Sequence, residues 1–111
     1  MQSLALPPGV AAALEELKRA LREIYGPRLR GVYLYGSYAR NEAGQESDVD
    51  ILIELDGRVQ TGIEISRINT VVSSICLKND LLISTFPISA ESLENQRSPF
   101  LTCVRREAVR L

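Results

Sequence analysis

With 111 residues and 45% hydrophobic content, the chain can bury the core of one compact domain, residues 1–111, and is too short for two. Charged residues make up 24% of it and sum to a net charge of −1, so direct nucleic-acid binding through bulk charge is not expected. Histidine is absent, which excludes Ser-His-Asp chemistry, a histidine general base and His-ligated zinc, and leaves oxygen ligands, hence Mg²⁺, Mn²⁺ or Ca²⁺, for any bound metal.

The opening MQSLALPPGV carries no basic region of the kind that starts a signal peptide, and two prolines break its apolar run. No apolar run approaches the roughly 20 residues that span a bilayer, so a cytoplasmic protein without a membrane partner is expected. After Pro7, Pro8 and Gly9, the residues Val10, Leu14, Leu17, Leu21 and Ile24 recur at spacings of four and three. That is one apolar stripe of a helix, ended by Gly26-Pro27. RGVYLYGS then reads as a strand ended by Gly36-Ser37. YARNEAGQES is a short helical turn and a loop with a turn at Gly44. DVDILIEL is a second strand, whose alternation puts Asp48, Asp50, Leu52 and Glu54 on one face and Val49, Ile51, Ile53 and Leu55 on the other.

From Gln60 to Lys78, Ile65, Ile68, Val72, Ile75 and Cys76 fit a helix. DLLISTFPI is a third strand, and Pro87 places it at an edge or exit of the sheet. Ser89 reads as the cap of a short helical segment, and Ser98-Pro99 as the cap and first residue of a last helix. Cys76 and Cys103 lie in apolar helix-like surroundings and read as buried free thiols. The class is α+β, a small mixed β-sheet flanked by helices. The apolar edge DLLISTFPI and the tail VRREAVRL are places where another subunit could pair.

Two carboxylates, Asp48 and Asp50, point the same way from one strand. Parallel carboxylates repel and do not ionise comfortably beside an apolar sheet without a partner, and a divalent cation supplies one. A lone D-x-D can equally be a polar strand end, solvated or paired with Arg40. Gly36-Ser37, alone a common turn with Ser37 as an N-cap, gives the pair its context. Glycine there lets the backbone approach a ligand, and the amides after Ser37 at a helix N-terminus would bind phosphate. Together the two halves fit metal-assisted transfer from a nucleoside triphosphate. Arg40 either pairs with phosphate or these aspartates, or is simply exposed. Tyr33, Tyr35 and Tyr38 cluster at the strand end, for sheet packing or, alternatively, base stacking or a partner contact.

Gly36-Ser37, ten intervening residues, and Asp48-Val49-Asp50 are similar to the signature of the minimal nucleotidyltransferases of the DNA polymerase β-like superfamily. GSYARNEAGQESDVDILIEL resembles their core block, including Ala39-Arg40 and Ser47. The resemblance implies the polymerase β-like core and a transfer of AMP from ATP. Gly36 and Ser37 would hold the β- and γ-phosphates, with Arg40 beside them, and Asp48 and Asp50 would bind Mg²⁺. The family takes a third carboxylate from a later strand. Asp80 is the candidate, and a helix-stop turn at Asn79-Asp80 is its other reading. Glu54 shares the face but lies roughly 13 Å from Asp50 at about 3.3 Å per residue, and Glu64 reads as a surface charge. Stand-alone members, MntA-type antitoxins, are partners of HEPN-domain toxins and modify a toxin tyrosine, which implies a toxin as acceptor and partner. Transfer to RNA or a small molecule, or neutralisation of a partner by contact without catalysis, are the alternatives.

Overall fold

A computed structural model of the chain describes residues 6–40, 42 and 48–111. The expected turn at Gly44 and the serine at position 47 lie outside the described residues. Helix α1 spans Pro8–Tyr25 and buries Val10, Ala13, Leu14, Leu17, Leu21 and Tyr25, the stripe expected from the spacing. Pro8 stands in its first turn, where a missing N–H is no loss. Gly26 ends it at φ 54° with its N–H donating to the Arg22 carbonyl, and one 3-10 turn, Gly26–Arg28, leads into the sheet.

Strands β1 (Leu29–Tyr35) and β2 (Val49–Leu55) are antiparallel, with Tyr33 opposite Leu52 and Tyr35 opposite Asp50. Helix α2 (Thr61–Asn79) carries the chain across to β3 (Ile83–Ser89), which runs parallel to β2 with Val49 beside Ile83 and Asp50 beside Ser84. Ser89 caps α3 (Ala90–Asn95) and Ser98 caps α4 (Pro99–Glu107), each hydroxyl accepting a backbone N–H at 3.1 Å. The tail then returns to the sheet as β4, Val109–Arg110, antiparallel to β1. The sheet order is β3-β2-β1-β4, a mixed sheet as expected.

Strand alternation divides the core in two. Val32 and Leu34 of β1, Val49, Ile51, Ile53 and Leu55 of β2 and Ile83 of β3 pack in one cluster with the apolar stripes of α1 and α2. On the opposite face Leu52 packs with Ile88 and with Leu101 and Val104 of α4, flanked by Tyr33, Tyr35 and Phe86. Asp50 and Glu54 share that second face with Leu52, so the expected segregation of β2 is realised. Leu52 is fully buried because α4 covers the middle of that face.

The end of the tail VRREAVRL pairs within the chain as β4, and Arg110 Nη2 donates to the Arg30 carbonyl at 2.9 Å. Two expectations change. Cys103 is exposed on α4 and is no buried thiol, while Cys76 is half-buried and its Sγ accepts the Ile83 N–H at 3.3 Å. Glu64, read as a surface charge, is only 3% exposed. Its carboxylate accepts from the Tyr25 hydroxyl at 2.9 Å and from Arg28 Nη2 at 3.1 Å. Arg28 also donates to the carbonyls of Asp56 and Arg58. One buried carboxylate thus ties the end of α1 to the β2–α2 connection. Its burial is tolerated because both oxygens are hydrogen-bonded.

Burial first, then the Glu64 hydrogen bond and charge, push the Tyr25 hydroxyl from 10.0 up to about 12. A phenol with a raised folded pKa contributes stability that is complete below pH 10 and lost as the pH climbs toward about 12. Tyr25→Phe is therefore expected to cost about 1 kcal/mol at pH 8, with that deficit shrinking above pH 10 as urea midpoints are compared at rising pH. Glu64→Ala, which strands the buried hydroxyl and removes one acceptor of the guanidinium, should cost about 2 kcal/mol in the same measurement.

Candidate active site

The site begins where β1 leaves the sheet. Tyr35 is the last strand residue, and Gly36 takes a positive φ of 77°, a backbone state that side chains disfavour. The reason lies in its neighbour. A Cβ on Gly36 would overlap Asp50 Oδ2 and stand 3.2 Å from Asp50 Cγ. The glycine expected to admit a ligand therefore first admits the carboxylate of Asp50, drawn against the turn by β1–β2 pairing. Residues 37–40 form the expected single turn, which does not run on into a longer helix among the described residues. The Arg40 N–H donates to the Gly36 carbonyl at 3.2 Å and the Glu42 N–H to the Ser37 carbonyl at 2.8 Å. A phosphate here would meet the amides of a turn, without the dipole of a helix.

Asp48 is exposed, immediately before β2, and Asp50 is half-buried two residues on. Asp50 titrates above its ordinary value, chiefly through burial and next through the charge of Asp48, with Arg40 opposing. Tyr35, directly across from Asp50, is raised by burial and by the Asp50 charge. The charge of Asp48 and the burial of Asp50 thus lower the readiness of Asp50 to ionise, and a bound cation would relieve both. These residues fit a Mg²⁺ site on oxygen ligands.

Arg40 is exposed and pairs with neither aspartate. Its Nε donates to Glu42 Oε2 at 3.0 Å and its Nη1 to Glu107 Oε2 at 2.9 Å, joining the turn to the end of α4. Asp80 is exposed at the C-terminus of α2, with φ 51° and its N–H donating to the Cys76 carbonyl, so the helix-stop reading describes its backbone. Among the described residues no three His, Cys, Asp or Glu side chains gather into a metal-binding group, so Asp80 does not join Asp48 and Asp50. The β3 residue level with Asp50 is Ser84. Glu54 lies at the far end of β2 and accepts from the Tyr33 hydroxyl at 3.1 Å.

Glu107 is a neighbour of the site that the sequence does not mark, and Tyr35, expected at the strand end with Tyr33 and Tyr38, is set directly opposite Asp50. Nothing local marks Glu107, which reaches Arg40 across 67 residues of chain. The contact of Tyr35 with Asp50 needed the strand register, which the long connection between β1 and β2 conceals.

A turn at Gly36-Ser37 with Asp50 packed on it and Asp48 two residues before, in a chain without histidine, is the candidate site of a nucleotidyl-transferring enzyme. The chain belongs to the nucleotidyltransferase domain family, whose model matches residues 14–98, from the middle of α1 to the cap of α4. It is 41% identical over 71 residues to a putative protein adenylyltransferase of Methanocaldococcus jannaschii, covering 64% of this chain and 71% of that one. A second putative protein adenylyltransferase of the same organism is 31% identical over 85 residues, 77% of this chain and 78% of its own. The protein adenylyltransferase MntA of Thermococcus cleftensis is 45% identical over 47 residues, covering 42% and 46% of the two chains. The fold is similar to that in a crystal structure of a toxin–antitoxin with AMP-PNP, at a TM-score of 0.63 and 18% identity over 86% of this chain and 69% of that one. Among the described residues no helix is long and apolar enough to cross a membrane.

Gly36→Ala is expected to lower stability by about 1–3 kcal/mol, read as a urea midpoint shift. In an Asp50→Ala background the same change should cost less, because the overlap disappears while the left-handed backbone penalty stays. Equal costs in both backgrounds would show that the carboxylate does not press on position 36.

Proposed function

We propose that this chain is a Mg²⁺-dependent nucleotidyltransferase that moves AMP from ATP onto a hydroxyl of a partner protein. We further propose that in doing so it acts as the antitoxin of a HEPN-domain toxin, with a toxin tyrosine as acceptor. The observation that carries the reading is the carboxylate pair, with Asp50 packed directly on the Gly36-Ser37 turn. Support for the nucleotide and the acceptor comes from the relatives named protein adenylyltransferases and from the fold neighbour crystallised with AMP-PNP.

Asp48 and Asp50 would hold the metal, which when bound supplies positive charge against the phosphates. The turn amides and the Ser37 hydroxyl orient the β- and γ-phosphates, and Arg40 at the rim adds a cation for them. The acceptor oxygen bonds to the α-phosphorus as the bond to the bridging oxygen breaks. Pyrophosphate leaves and the acceptor proton passes to water. Held reactants react as if at high local concentration, so positioning by the turn and carboxylates supplies much of the acceleration. Asp80 remains a candidate third ligand that would have to approach the pair. The Ser84 side chain beside Asp50, where a carboxylate would complete a triad, favours as a second reading a chain that neutralises its partner by contact alone.

The test is transfer of label from α-labelled ATP, with Mg²⁺, into proteins of a host lysate. Wild type should label one protein. Asp48→Asn and Asp50→Asn should each lose at least about 100-fold of that rate without a lowered melting temperature, since each removes like-charge repulsion. Asp80→Asn should match wild type if two carboxylates suffice, and fall with the others if it completes the site. Absence of label, with partner neutralisation intact in Asp48→Asn, would replace transfer by contact.

A further inference from the structure

Beside the carboxylates lies an aromatic group that neither the phosphate turn nor the metal ligands use. Strand register puts Tyr35, Asp50 and Ser84 in one row across the sheet, and Tyr33, Leu52 and Phe86 in the next, all on the face away from α1 and α2. Phe100, in the first turn of α4, sits over the junction of these rows. Its ring centroid is 5.7 Å from Tyr35 at an interplanar angle of 83°, and 5.3 Å from Phe86 at 59°. Two aromatic neighbours fix the ring, and the Ser98 cap with Pro99 fixes the backbone beneath it. Yet Phe100 is 41% exposed, while Leu101 and Val104 of the same helix are buried. A large ring held rigid and left open to solvent, next to paired carboxylates, is a surface prepared for a flat ligand.

We propose that Phe100 is the stacking surface for the nucleobase of the nucleoside triphosphate. The inference rests on the nucleotidyl-transfer reading and extends it to the base. Two residues along β2 separate the Asp50 row from the Leu52 row, roughly 7 Å at about 3.3 Å per residue, a gap that a ribose bridges. A triphosphate lying on the Gly36-Ser37 turn with its α-phosphate at the carboxylates therefore directs its sugar and base toward α4. Stacking on an aromatic face is tolerant of base identity, because every base offers a π face. Adenine and guanine should both use it.

The experiment is calorimetric binding of Mg²⁺·ATP and, separately, of Mg²⁺·tripolyphosphate to the full chain, in wild type, Phe100→Ala, Phe100→Leu and Phe100→Trp. Tripolyphosphate carries the phosphates without sugar or base. Phe100→Ala and Phe100→Leu should weaken ATP binding about 5- to 100-fold while leaving tripolyphosphate binding unchanged, and Phe100→Trp should match or exceed wild type for ATP. Phe100→Leu keeps an apolar residue over Tyr35 and Phe86, so it separates stacking from local collapse. Equal weakening of both probes, or ATP affinity unchanged in Phe100→Leu and Phe100→Ala, would overturn the proposal. Unchanged ATP affinity with a raised KM for the acceptor protein would likewise overturn it and move the ring to the acceptor side. Transfer is measured alongside: a wild type that binds ATP through Phe100 but labels no protein fails the parent reading alone. A wild type that binds no ATP fails both.

Discussion

Antiparallel pairing of β1 with β2 ends with Tyr35 opposite Asp50, and one residue later the chain must turn without a side chain because the Asp50 carboxylate occupies that space. The rest of the site depends on this contact. It fixes the direction in which the chain leaves β1, and so where Ser37 and Arg40 lie. It also half-buries Asp50, which raises its titration. Strain at Gly36 and repulsion between two carboxylates are local costs, met by the two apolar clusters that hold β1 and β2 in register from both faces.

The fold was legible in the sequence where a period and a stop signal coincide. The stripe of α1 ends at Gly26, the alternation of β2 sorts its residues correctly onto two faces, and Ser89 and Ser98 cap the helices expected of them. The two-residue β4 has no period to show, and only the sheet edge offered by β1 makes Val109 and Arg110 a strand. Glu64 looked like a surface charge because its partners, Tyr25 and Arg28, are 39 and 36 residues away. Cys103 looked buried because its apolar neighbours in sequence, Leu101 and Val104, turn toward the sheet while it turns outward.

The site was legible to the extent that its chemistry is consecutive. The Gly36-Ser37 turn and the Asp48–Asp50 pair are short motifs that can be read without tertiary detail, and both lie within residues 14–98, which the family model matches. What depends on register was hidden: Tyr35 against Asp50, Ser84 in the adjoining row, Phe100 leaning over from α4. The segment after Ser37 was expected to begin with a short helical turn. Its hydrogen bonds close one turn, with the Arg40 N–H donating to the Gly36 carbonyl.

The outer strand β3 has a consequence for how copies of this chain coexist. Leu82 turns its carbonyl to the Val49 N–H, so the two-residue period of a strand turns the backbone of Ile83, Thr85 and Pro87 to the free edge. The Ile83 N–H is already taken by Cys76 Sγ, and Pro87 has none to give. An incoming strand would find few donors along this edge, so edge-to-edge pairing is discouraged without any charge placed there. A proline and a thiol do on β3 what lysines do on other edges, and they leave Ile83, Phe86 and Ile88 free to serve the core.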